Sequence, residues 1–147
     1  MNFLFTVKFF KVLFLSIVIF IILDYLWLAV IARKLYFDQL SYLANVANGE
    51  IVFLLPVGIL VQAIIAAGFS VFISIALQVK RDLLTSIITG AFLGFVLYCT
   101  YDLTNLSFVK GYKVFISIID ITWGTAQGVF AGIYVYYLNK LFFKLPV

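Results

Sequence analysis

The chain has 147 residues, 66% of them hydrophobic and only 11% charged, with a mean hydropathy of +1.23, a balance that excludes an ordinary soluble domain and describes an integral membrane protein. Its net charge of +4 comes from Lys and Arg at the ends of apolar segments, which reads as orientation and headgroup contact, with no sign of nucleic-acid binding. Histidine is absent and cysteine occurs once, at Cys99, which excludes histidine proton shuttles, Ser-His nucleophiles, most zinc sites and a disulfide framework.

The length allows one membrane domain over 1–147 and no separate soluble one. Lys8 and Lys11 lead into an apolar run that imitates a signal peptide. The run continues past Asp24 to Ile31 with no cleavage site, so 9–31 reads as a first span retained in the mature protein. In 32–50, Tyr36, Leu40, Leu43 and Ala47 recur at helical spacing between polar residues. That suits a short helix over 35–47 lying in the membrane surface and stopped near Asn48-Gly49, with a plain loop as the alternative.

Segment 51–79 is uncharged and longer than a bilayer core requires, and Pro56 falls in its first turns, where a missing N–H costs least. Gly58, Gln62, Ala66, Ser70 and Ser74 make a small or polar ridge along it, a surface for close helix packing. Lys80-Arg81-Asp82 is a tight charged connection. The third span covers 83–107 and the fourth 114–138; Lys140 and Lys144 close the chain before a short tail with Pro146. The fold class is all-α: a polytopic membrane protein with four transmembrane helices in an antiparallel bundle. With the N-terminus inside, six basic residues (Lys8, Lys11, Lys80, Arg81, Lys140, Lys144) face four (Arg33, Lys34, Lys110, Lys113). This favours both termini in the cytoplasm, by a margin small enough to leave dual insertion open.

Three acids interrupt the apolar spans. Asp24 lies nine residues before Arg33, Asp102 nine before Gly111, and Asp120 nine after Gly111. The first and third spans run one way and the fourth runs back, so all three carboxylates reach the same side of the membrane, each roughly 13 Å along its helix from the boundary. Asp120, Gly124, Gly128 and Gly132 follow at steps of four, as do Ser86, Gly90, Gly94, Tyr98 and Asp102. Two such ridges packed antiparallel bring Asp102 beside Asp120 at one end and Gly90 near Gly132 at the other. Trp27 stands three residues after Asp24, Trp123 three after Asp120 and Asn105 three after Asp102, each on nearly the same helix face as its acid. An indole N–H can donate to a carboxylate, and its ring can wall a cation site. The plainer reading makes the indoles interfacial anchors and the acids neutral or paired groups bonded to Asn105, Thr and Trp partners.

Leu23-Asp24-Tyr25-Leu26-Trp27-Leu28, Ala32-Arg33, Tyr101-Asp102-Leu103-Thr104-Asn105-Leu106, Lys110-Gly111 and Asp120-Ile121-Thr122-Trp123-Gly124-Thr125 together resemble the bacterial predicted-membrane-protein family catalogued as domain of unknown function two-one-seven-seven. The resemblance covers nearly the whole chain and implies the four-span fold and a bacterial inner-membrane location. It supplies no activity.

Embedded ionisable groups mark function more often than not. Asp24, Trp27, Asp102, Asn105, Asp120 and Trp123 are therefore the candidates for binding or transporting a proton, a cation or a small cationic solute, with a homodimer supplying a second open side. An aspartate-dyad hydrolase using Asp102 and Asp120 is the alternative, and an assembly subunit joined through Gly90, Gly94, Gly124, Gly128 and Gly132 is the third reading. Neither a cofactor nor a metal is expected, and the partner in every case is the lipid bilayer.

Overall fold

The computed structural model describes residues 2–143; Lys144 and Pro146, placed by the sequence in the closing tail, lie outside the described residues. A turn of 3₁₀ helix over Asn2–Phe5 leads into α1, Val7–Leu26, whose cap is the Thr6 hydroxyl accepting from the Phe9 amide at 3.2 Å. The helix does not stop at Leu26. It widens into a π turn over Trp27–Ile31, closed by the Ala32 amide on the Trp27 carbonyl at 2.7 Å, and the apolar segment is continuous from Val7 to Ile31.

Helix α2, Arg33–Leu40, follows at once. It is shorter than the helix expected over 35–47, because the chain after it turns and pairs β1, Val46–Ala47, with β2, Glu50–Ile51. Asn48 and Gly49 sit between the strands at φ 53° and 75°. Both angles are left-handed, which is the requirement of a two-residue hairpin turn and the reason an Asn-Gly pair closes it. The second long helix consequently begins four residues later than expected: α3 is Leu55–Val79, with Pro56 in its first turn.

Asp82 caps α4, Leu83–Phe108, by accepting from the Thr85 amide at 2.8 Å. Gly111, at φ 86°, turns the chain into α5, Val114–Phe143, which passes the expected end at Leu138 and carries Lys140 in its last turn. The four long segments are apolar and long enough to cross a membrane, and the fold is an all-α polytopic membrane bundle with one two-residue hairpin added.

Large apolar side chains point outward: Phe14, Leu60, Phe72, Phe92 and Ile118 are each more than half exposed, as lipid-facing positions are. The interior mixes apolar groups with small and polar ones. Its main cluster joins Val12 and Phe20 of α1, Ala66, Phe69, Ile73 and Leu77 of α3, and Ala131 and Val135 of α5. A second, smaller cluster holds Ala32, Tyr36 and Ile116 and fastens α2 onto the end of the bundle where the acids lie.

Helices α4 and α5 form the closest pair. A Cβ added at Gly90 or Gly94 would run into the carbonyl of Gly128 or Gly124, and one added at Gly132 would meet the backbone of Ser86 and Ile87. Backbone touches backbone along this seam, as glycines at steps of four permit. The same register sets Asp102, six residues before the end of α4, beside the stretch of α5 that contains Asp120, six residues after its start.

Candidate functional site: an embedded aspartate layer

From those helix ends, Asp102 and Asp120 lie about 9 Å inside the bundle, less than the sequence estimate because α4 ends at Phe108 and α5 begins at Val114. Asp24 belongs to the same end, in the last turn of α1 before the π turn. All three are buried, at 5%, 0% and 8% exposure for Asp24, Asp102 and Asp120.

Asp24 accepts three hydrogen bonds. Trp123 Nε1 donates to Oδ1 at 3.2 Å, Gln127 Nε2 to the same oxygen at 3.0 Å, and Gln62 Nε2 to Oδ2. The donors come from α5 and α3, so this one carboxylate ties α1 to two other helices. Gln127 is itself held: its carbonyl oxygen accepts from the Tyr98 hydroxyl of α4 at 2.6 Å. The Tyr98 ring lies against Gly124, whose missing side chain makes room for it. The glycine seam and the acid layer are thus one construction.

Asp120 accepts from the Tyr36 hydroxyl, and that hydroxyl accepts in turn from Trp27 Nε1 at 3.2 Å. Burial, together with the charges of Asp120 and Asp24, pushes the Tyr36 phenol well above its ordinary range and keeps it a proton donor. Asp102 Oδ1 accepts from the Tyr112 hydroxyl at 2.8 Å, while its buried Oδ2 has no hydrogen-bond partner. Tyr112 is pushed up in the same way, first by burial and then by Asp102.

Several expectations about pairing change. Spacing alone offers each indole the acid three residues before it. Instead Trp123 reaches Asp24 on α1, and Trp27 reaches Asp120 through Tyr36. The rings stack on each other, centroids 4.3 Å apart with planes 8° from parallel, so they do not wall a gap between them. Both rings extend across the boundary between the helices and meet there, so each indole N–H is turned away from the acid on its own helix. Asn105 does not bond Asp102; it lines a shallow surface hollow with Tyr101, Val109 and Tyr112. Among the described residues no three Asp, Glu or Cys side chains converge as a metal site requires.

Tyr36, Tyr112, Gln62 and Tyr98 carry much of the layer's hydrogen bonding and lie outside the candidate set, while Gln127 is a donor the sequence itself places near the acids. The available signal was the two amides: Gln62 and Gln127 each stand within a span that otherwise favours apolar or small residues.

The family model described as Predicted membrane protein (DUF2177) matches residues 9–137, a stretch that holds all three acids and every donor to them. The chain belongs to that family. It is a multi-pass membrane protein. No curated protein and no solved structure matches it.

Proposed function

We propose that the aspartate layer binds exchangeable protons and gives them up to solvent in exchange for a small cation, in a protein of the bacterial cytoplasmic membrane with both termini inside. The observation that carries this reading is charge balance. Among the described residues, every hydrogen bond accepted by Asp24, Asp102 and Asp120 comes from a neutral donor: Gln62, Gln127, Trp123, Tyr36 or Tyr112. The ion pairs, Arg33–Glu50 and Lys80–Asp82, lie elsewhere. Buried negative charge without a counter-charge is costly, so the layer has to be balanced by protons or by a bound cation.

Three features favour the proton as the resting occupant, which a cation displaces only by rearranging the layer. The acids do not converge on one point as a metal ion would need. The stacked indoles cover each other's inner faces, leaving no slot between them for an organic cation. Asp102 Oδ2 is buried and accepts from nothing, an oxygen suited to carry a proton. A hydrolytic dyad finds less support, because Asp102 and Asp120 each hold a tyrosine of their own.

The test is proton release from purified protein in weakly buffered detergent, followed with a pH indicator as sodium, potassium or tetraethylammonium is added. Wild-type protein should release protons to at least one of these, and Asp102→Asn should release fewer. Absence of release with every cation would contradict the proposal.

A further inference from the structure

A cavity of about 600 Å³ opens where α1 ends, bounded by the π turn, α2 and the hairpin. That is ordinary size for a ligand pocket. Its lining divides by chemistry. Arg33 and Lys34 supply cationic groups, while Tyr25, Val30 and Phe53 contribute apolar surface that is more than half exposed. Arg33 pairs with Glu50 of the hairpin and so fastens the cavity wall. Lys34, among the described residues, has no carboxylate partner. The cavity therefore carries two cationic groups against one acid, at the level where a span gives way to its connection.

We infer that this cavity binds one phosphate-bearing membrane lipid, its acidic headgroup held by Lys34 and Arg33 and its chains lying against Val30 and Phe53. A phosphate diester supplies the anion that Lys34 lacks. The exposed apolar residues at the mouth give acyl chains a surface that a free phosphate could not use. The cavity meets the acid layer at Tyr36, which lines it and donates to Asp120, but lipid binding through Lys34 and Arg33 does not depend on proton exchange there.

The experiment uses the full chain, purified in neutral detergent and stripped of lipid. Dioleoylphosphatidylglycerol, dioleoylphosphatidylcholine or glycerol phosphate is added, and retained lipid is counted by native mass spectrometry beside the shift in melting temperature. The acidic lipid should be retained about fivefold more strongly than the zwitterionic one, the effect of one basic residue at a charged membrane surface. Lys34→Gln, an exposed change that leaves the helix intact, should remove that preference, and Lys34→Arg should restore it. Equal retention of the two lipids, or an unchanged preference in Lys34→Gln, would overturn the inference. Glycerol phosphate competing as well as the lipid would overturn it too, by making the cavity a site for soluble phosphate.

Discussion

Trp27 and Trp123 lie face to face, 4.3 Å between ring centroids, and each serves the acid of the other's helix: Trp123 donates to Asp24 directly and Trp27 to Asp120 through Tyr36. The stack is the crossing point of the layer. It joins α1 and α5, and through Tyr36 it also commits α2 to the bundle.

Because these are the protein's two tryptophans, their contact has a direct optical signature. Far-ultraviolet circular dichroism of the wild type should contain, on top of the helical signal, an exciton couplet from the stacked indoles. Trp27→Phe and Trp123→Phe should each abolish it entirely, whereas two isolated chromophores would each lose half of an additive spectrum.

The α4–α5 seam predicts opposite signs for two chemically identical substitutions. Gly90→Ala sets a methyl against the Gly128 carbonyl, backbone that cannot move without separating the helices. It should cost about 1–3 kcal/mol. Gly68→Ala, inside α3 with nothing within 4 Å of the new Cβ, should gain about 0.5–1 kcal/mol from helix propensity. Thermal unfolding in detergent measures both.

Tyr112→Phe removes the hydrogen bond to a fully buried Asp102, leaving both carboxyl oxygens unpartnered. The expected loss is about 1–3 kcal/mol. In a double-mutant cycle with Asp102→Asn the two effects should be less than additive, since the second change acts on an interaction already gone. Strict additivity in chemical unfolding would show that the pair is not coupled.

Groups outside the spans make stability depend on pH at each end of the range. Asp82 is held below the usual carboxylate range, chiefly by the Thr85 amide and then by the Thr85 hydroxyl and Lys80. Its stabilisation is present above the unfolded value of about 3.9 and lost as pH falls through the lower folded value. Tyr36 and Tyr112 are shifted the other way, mainly by burial. Above about pH 10 the unfolded chain releases these phenolic protons while the folded one retains them, so stability declines as pH rises. Melting temperature measured across pH should fall slightly less at the acid end in Asp82→Asn, because Asp82 is screened by solvent, and less steeply at the alkaline end in Tyr36→Phe, where Tyr112 still contributes.

Much of this was written locally in the chain. Apolar runs bounded by Lys and Arg mark the spans, and glycines at steps of four state the α4–α5 register, because a missing side chain records a backbone contact at its own position. Topology alone brings Asp24, Asp102 and Asp120 to one side. The hydrogen-bond partners were not legible in this way. Tyr36 and Asp120 are separated by 84 residues and Asp24 and Gln127 by 103, and their meeting depends on side-chain directions across helices, which no periodicity encodes. The hairpin was missed for a related reason. Leu40, Leu43 and Ala47 have helical spacing, but Asn48-Gly49 acts as a turn joining two strands, and pairing of Val46 with Ile51 outweighs the pattern before it.

The central claim is that an acid in this layer holds a proton, and infrared difference spectroscopy on the purified protein tests it most directly. Alkalinisation should bleach a carbonyl band of a protonated carboxylic acid, and that band should be missing from Asp102→Asn while surviving in Glu50→Gln, a surface change. A spectrum with no such band at any pH, or with one unchanged in each of Asp24→Asn, Asp102→Asn and Asp120→Asn, would contradict the account.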